Sequence, residues 1–219
     1  MKLRIVYDNE IYTKGIGLKS DWGFACVIET GKDTILFDTG ENGEILLHNM
    51  NKLNINPRTL NKIVISHAHH DHQGGLLSLV PHVNNIEVYH IDSKVPPENM
   101  IGIIPDIPKM ISENVWTTGR IKGLVDEQSL VLQGKNGWYV LTGCSHPGIE
   151  NILQIANQIG DIIGIVGGFH GFNRFQLMEN LDDICPCHCT AHKKDLKKAF
   201  PDKFSTCGVG KVIDLGVAL

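Results

Sequence analysis

Apolar residues along this chain come in short runs punctuated by glycine, proline and polar clusters, a pattern that predicts many short strands with a few helices between them. Leu3-Arg4-Ile5-Val6-Tyr7 reads as a first strand. Residues 24–30 and 34–38 read as two more, joined at hairpin spacing by Gly31-Lys32-Asp33. Leu46, Leu47, Met50 and Leu53 recur at helical spacing, so residues 44–53 are expected to form an amphipathic helix that packs on the sheet. Ile63-Val64-Ile65 is apolar and β-branched enough for a buried strand. A short helix follows over residues 76–80, stopped by Pro81, and residues 86–90 alternate as a strand.

Residues 95–111 break the rhythm. Prolines at 96, 97, 105 and 108 with isoleucines and methionines between them make a poor helix and a poor strand, so a long irregular excursion with the apolar content of a lid is expected. Strand patterns resume at residues 115–119, 129–133 and 138–142, the last two flanking Lys135-Asn136-Gly137, a strong hairpin signal. Ile149, Ile152, Leu153, Ala156 and Ile159 then repeat with helical period. Strands are expected at 161–166 and 184–190, a helix at 193–200 and a final strand at 211–215. No linker and no repeat interrupts this order, which predicts one α/β domain over residues 1–219.

Composition narrows the function classes. Hydrophobic residues at 42% and charged ones at 20% exclude a disordered or collagen-like chain, and a net charge of −4 offers no footprint for a nucleic-acid duplex. Charges at the start of the chain interrupt any apolar h-region and no stretch is long enough to span a bilayer, so a cytoplasmic protein without a membrane partner is expected. Of six cysteines, three crowd into Cys185-Pro186-Cys187-His188-Cys189, which fits reduced thiols near a strand end or a metal better than a disulfide framework.

The chemistry concentrates at predicted strand ends. Directly after Ile65 the chain reads Ser66-His67-Ala68-His69-His70-Asp71-His72-Gln73-Gly74-Gly75. Neutral imidazoles and a carboxylate are donors for borderline divalent cations, and a solvated loop has no need of this composition. Cys144 and His146, His170, and His188 with His192 also follow predicted strands, so residues distant in sequence can converge along one sheet edge.

His67-x-His69-x-Asp71-His72 resembles the His-x-His-x-Asp-His motif of the metallo-β-lactamase superfamily at every position, and Asp38 in Phe37-Asp38-Thr39-Gly40 resembles the acidic residue that ends an early strand there. The resemblance covers essentially the whole chain. It implies a four-layer αβ/βα sandwich, two mixed sheets face to face with helices outside and metals at one edge. Thr142-Gly143-Cys144-Ser145-His146-Pro147-Gly148, Gly167-Gly168-Phe169-His170 and Pro186-Cys187-His188-Cys189-Thr190 are similar to a narrower branch of metal-dependent hydrolases. Some members of that branch are synthases that join a dihydropterin to ribofuranosylaminobenzene phosphate. The chain departs from the superfamily pattern where Thr-Gly-Asp would supply a carboxylate bridging both metals: it has Thr142-Gly143-Cys144.

On this basis His67, His69 and His146 are candidate ligands of one cation, and Asp71, His72 and His188 of a second, with His192 competing for the last place. Cys144 is either a soft ligand or a small buried hydrophobe. Asp38 is expected to orient a ligand histidine, and His170 to donate a proton or contact substrate. Asp71 is the carboxylate nearest the chemistry. The metals implied are one or two divalent ions, zinc foremost, with manganese, iron or magnesium as alternatives. A structural zinc on Cys185, Cys187, Cys189 and His192 is disfavoured by the absence of a Cys-x2-Cys knuckle. His48, His82 and His90 read as ordinary helix, loop and strand histidines. Paired cations lower the pKa of a bound water toward ~7, which makes hydrolysis of a small anionic, phosphorylated or pterin-like substrate the default expectation. The alternative is the pterin-coupling transferase, and a phosphodiesterase or nuclease comes third.

Overall fold

Strand alternation sorts the apolar side chains into three buried layers. Leu3, Ile5, Cys26, Ile28, Ile35 and Phe37 turn to one cluster with Leu130, Leu132 and Leu141, whereas Val27, Leu36 and Ile63 face Leu46 and Met50, and Val131 and Val140 face Ile152 and Leu153. The first cluster lies between two sheets and the other two lie under helices on the outer faces, so period-two patterning by itself produces the four layers.

The computed structural model describes residues 1–91 and 96–216. In chain order the elements are β1 (Lys2–Tyr7), β2 (Ala25–Glu29), β3 (Thr34–Phe37), α1 (Gly43–Lys52), β4 (Lys62–Val64), α2 (His70–Gln73), α3 (Leu76–Leu79), β5 (Ile86–Tyr89), β6 (Met100–Ile103), β7 (Lys109–Ser112), β8 (Val115–Thr117), β9 (Leu130–Gln133), β10 (Trp138–Thr142), α4 (Ile149–Ala156), β11 (Ile162–Gly168), β12 (Asp183–Cys187), α5 (Lys193–Ala199) and β13 (Val212–Asp214). One sheet has the order β13-β1-β2-β3-β4-β5-β6 and the other β12-β11-β10-β9-β8-β7. Both are mixed: β3, β4, β5 and β6 run parallel, as do β10, β11 and β12, and the remaining pairs are antiparallel.

Local chemistry explains the helix that braces the first sheet. Asn42 caps α1 by accepting from the Glu44 and Ile45 amides, a device worth ~1 kcal/mol, and Leu46 and Met50 bury its inner stripe. Among the described residues no helix is long and apolar enough to cross a membrane.

The irregular excursion expected over residues 95–111 is corrected in part. Met100–Ile103 and Lys109–Ser112 are strands, the first closing the edge of one sheet and the second the edge of the other. The prolines misled because they bracket the two strands: Pro96 and Pro97 precede β6, and Pro105 and Pro108 fall between β6 and β7, where no ladder bond is required of them. Val95 lies outside the described residues.

Candidate metal centre

The parallel strands deliver the site. Asp38 follows β3, Ser66 and His67 follow β4, Cys144 and His146 follow β10, His170 follows β11 and His188 follows β12. Each strand end turns sharply, with Asp38, Ser145, His170 and His188 all at positive φ (57°, 62°, 46° and 38°). Such backbone is uncommon for residues with a side chain and clusters at functional sites. Gly143 lets the loops of the two sheets close in, since a Cβ there would lie 2.2 Å from Ser66 Oγ, and Gly168 lets the loop after β12 approach β11, since a Cβ there would lie 2.6 Å from Cys189 Sγ.

The sequence-predicted ligands meet at one point. Ring centroids of His67 lie 4.7 Å from His69, 4.6 Å from His146 and 4.2 Å from His72, and His72 lies 5.0 Å from His188. His188 Nε2 is 3.1 Å from Asp71 Oδ2, and His72 Nε2 is 3.2 Å from Cys144 Sγ. Donor atoms of His67, Cys144 and His146 form one metal-sized group, and those of His72, Cys144 and His188 another. Cys144 thus stands between two histidine sets, at the place where the superfamily pattern would put a carboxylate. Its Sγ is 3.1 Å from Cys189 Sγ; that contact and burial both push its thiol pKa up.

Four of the histidines have one ring nitrogen tied down behind them. His67 Nδ1 meets Ser66 Oγ at 2.8 Å, His72 Nδ1 meets Asp38 Oδ2 at 2.7 Å, His146 Nδ1 meets Glu127 Oε2 at 3.0 Å, and His188 Nδ1 meets Asn9 Oδ1 at 2.9 Å. Each outer partner fixes the tautomer and leaves Nε2 as the free donor atom. Burial holds His67 and His72 neutral, lowering both to about 3. Asp71 is opposed by burial, but its contact with the His188 ring and the proximity of His72 hold its carboxyl well below the usual range. Neutral imidazoles and an ionised carboxylate are the protonation states that metal binding requires. The donors also need a guest: His67 Nε2 and His69 Nδ1 are 3.0 Å apart, a distance at which two nitrogen lone pairs repel unless a proton or a cation lies between them. The residues therefore fit a divalent metal.

Other sequence-predicted residues lie further out. Asp38 is fully buried and touches two candidate ligands, one directly and one through Ser66. His170 is exposed at the rim, its ring 5.2 Å from that of His146. His192 pairs with Asp195 at 3.2 Å and packs near Phe175, away from the cluster, so His188 holds the inner position. His70 is exposed, and with His90 it lines a cavity beside His67; His90 has a place near the site that its strand pattern did not suggest.

The residue that sequence reasoning missed is Glu127. It is fully buried, yet it sits in Asp126-Glu127-Gln128, a polar stretch just ahead of the strand expected at residues 129–133 that carries no motif. Its carboxylate accepts from the amides of Gly143, Cys144, Ser145 and His146, from Thr142 Oγ1 and from His146 Nδ1, all at 2.9–3.0 Å. Burial disfavours its charge, but the His146 ring, nearby His67 and the loop amides outweigh that and hold the carboxyl well below its ordinary value. Trp22, whose ring lies 4.9 Å from that of His188, was also unforeseen.

A family model of the metallo-beta-lactamase superfamily matches residues 23–148, more than half of the chain. The chain belongs to that superfamily. Within it, the protein is similar to the 7,8-dihydropterin-6-methyl-4-(beta-D-ribofuranosyl)-aminobenzene-5'-phosphate synthase of Methanocaldococcus jannaschii, 25% identical over 248 residues that span 83% of this chain and 84% of the relative. An uncharacterized protein of the same archaeon is 28% identical, over 97% of this chain and 100% of its own. Among solved structures, Tm1679, a metal-dependent hydrolase of the beta-lactamase superfamily, superposes with a TM-score of 0.80 at 26% identity, covering 99% of both chains. The two-sheet sandwich expected from the motif is thus the fold of this metallo-beta-lactamase superfamily member, and its strand-end cluster occupies the region that the family model spans, His170 and His188 excepted.

Proposed function

We propose that this protein is a metal-dependent hydrolase acting on a small, anionic, ring-bearing substrate, a phosphate ester or diphosphate by preference. The observation that carries the reading is the set of inward-turned histidine nitrogens, each backed by its own buried or half-buried partner, around Asp71 and Cys144. Divalent ions held by His67, His69 and His146, and by Asp71, His72 and His188 with Cys144 beside them, would supply Lewis-acid polarisation of a phosphoryl oxygen and acidify a water. The chain's own residues do the rest. Asp38 and Glu127 keep the donor rings in place, and Asp71 stays ionised between His72 and His188. His170, exposed at the rim beside His146, is placed to protonate a leaving group.

Two cavities flank the cluster and support the substrate class. One of about 270 Å³ beside His67 is walled by Ile65, Leu76, Leu77, Val88, Ile91 and Pro97, a slot for a flat apolar ring. The other, about 340 Å³, is bounded by His146 and His170, which suit an anion, and by Arg174, whose guanidinium is already paired with the Glu150 carboxylate in the same wall. A transferase reading has its own support in the archaeal synthase relative, because the same slot would hold a pterin.

One experiment separates the two. Purified protein loaded with zinc or manganese is incubated with a dihydropterin diphosphate, with and without the ribofuranosylaminobenzene phosphate, and the products are weighed by mass spectrometry. Release of diphosphate or phosphate that does not depend on the arylamine is expected. A coupled product that forms only with both substrates would replace the hydrolase by the transferase, and no metal uptake would remove both.

A further inference from the structure

Beyond the histidines, a second set of soft donors lies inside the fold. Cys185 and Cys187 stand two residues apart on β12 and face the core between the sheets, where Cys207 from the segment before β13 meets them. Their three Sγ atoms lie within 4.8 Å of one another. Cys187 is fully buried, Cys185 and Cys207 are 2% and 6% exposed, and all three are free thiols. We propose that Cys185, Cys187 and Cys207 form a second metal site that takes one thiophilic cation of the zinc class, structural in role and separate from the histidine cluster.

Packing alone does not call for this arrangement. A buried cysteine behaves as a small hydrophobe, and one such residue fills a gap as well as another, but three sulfurs from two distant segments pointing at one spot form a donor set. Three thiolates select soft or borderline cations over magnesium or calcium. A disulfide is the weaker use, since a bridge from Cys207 to either strand cysteine leaves the other unpaired. The set also differs from the one the local spacing suggests. Cys189, the third member of the alternating run, does not join, because the chain turns at His188 (φ 38°) and carries its sulfur to Cys144 instead.

The surroundings meet what a metal site needs. Asp8, fully buried, places Oδ2 3.6 Å from Cys207 Sγ and is a carboxylate donor for a fourth position. Lys211, 7% exposed, stands near Cys185 and offsets the negative charge left when a dication meets three thiolates. An approach from solvent exists at one member of the set, since a cavity of about 570 Å³ bounded by Pro186, Lys193 and Thr206 reaches Cys207. On binding, three sulfur–metal bonds form and three thiol protons leave to solvent. The consequence reaches the active site: Asp8 Oδ2 also accepts from the His188 amide at 2.9 Å, and His188 follows Cys187 directly. A filled thiol site therefore fastens the end of β12 to the C-terminal segment and holds His188 in its place.

The test uses full-length protein exchanged with ¹¹³Cd²⁺. A cadmium resonance in the three-thiolate range is expected, distinct from the nitrogen- and oxygen-rich signals of the histidine cluster. It should persist in Cys144→Ser/Cys189→Ser protein, where the near-ultraviolet thiolate-to-cadmium band should persist too. Adding Cys207→Ser should abolish both and lower total metal by one equivalent. Only nitrogen- and oxygen-rich resonances in the wild type would overturn the proposal even if a variant fails to fold. A three-thiolate signal that survives Cys207→Ser, or an intact mass showing a native disulfide, would overturn it as well.

Discussion

Two buried carboxylates, Asp38 and Glu127, hold the histidine cluster from opposite sheets, and they do so in different ways. Asp38, at the end of β3, accepts from three donors: the Ser66 amide, Ser66 Oγ and His72 Nδ1. Glu127, on the approach to β9, accepts from six, four of them backbone amides of the Gly143–His146 loop. Both are fully buried. Burial pushes Asp38 up to about 7 against the pull of His67 and Ser66, while the larger donor set of Glu127 overcomes the same penalty and leaves it ionised far into acid. The difference separates two jobs. Asp38 orients rings that the His67–His72 run already brings together, whereas Glu127 gives shape to a loop with no regular structure of its own. A carboxylate that orients a ring is worth a change in metal affinity; one that folds a loop is worth the loop.

The largest effect is therefore expected at Glu127. Glu127→Ala leaves four amides of the loop unpaired in a buried site and should cost roughly 3–5 kcal/mol of stability, as breaking a buried charged network does. Denaturant unfolding measures the loss, and elemental analysis should show metal retained by His72 and His188 but reduced at His146. Wild-type stability in this variant would mean that the loop holds itself and that the contrast with Asp38 is mistaken.

Asp38→Asn comes next. One side-chain oxygen then has to serve both Ser66 and His72, and the freed amide donates where an acceptor was needed. Metal affinity should fall about 10–100-fold, the usual cost of losing a carboxylate behind a ligand histidine, with a smaller loss of stability than at Glu127. Competition with a chromogenic chelator reads the affinity. A stability loss matching that of Glu127→Ala, with metal affinity intact, would reverse the roles assigned to the two carboxylates.

This contrast also marks what the amino-acid order reveals. Asp38 and the His67–His72 run were legible because strand, turn and ligand are contiguous, and the period-two apolar pattern set most strands to within a residue or two. Glu127 was not legible, since a single acid in a polar stretch carries no local sign that a loop fifteen to twenty residues downstream will wrap around it. β6 and β7 were hidden for a related reason: each is a four-residue edge strand, and the surrounding prolines outweigh so short a pattern. Cys189 illustrates the remaining gap. Alternation assigns it to the face of Cys185 and Cys187, but the left-handed backbone at His188 reverses the side chain, and period-two reasoning stops where the strand does.

The smallest effect is expected at Ser66, and it tests whether Asp38 reaches one histidine or two. Ser66 Oγ has a single proton, which it gives to Asp38 Oδ2 at 2.8 Å, so toward His67 Nδ1, also at 2.8 Å, it can only accept. That order places the His67 proton on Nδ1 and leaves Nε2 free for the cluster, which makes Ser66 the link between Asp38 and His67. Ser66→Ala removes no volume that the close approach of Gly143 requires. It should cost ~1 kcal/mol of stability for the lost hydrogen bonds and weaken metal binding several-fold, less than Asp38→Asn. In the Asp38→Asn background the same change should add little, because the link is already loosened. Fully additive losses in the double variant would show that Ser66 serves His67 independently and that Asp38 positions His72 alone.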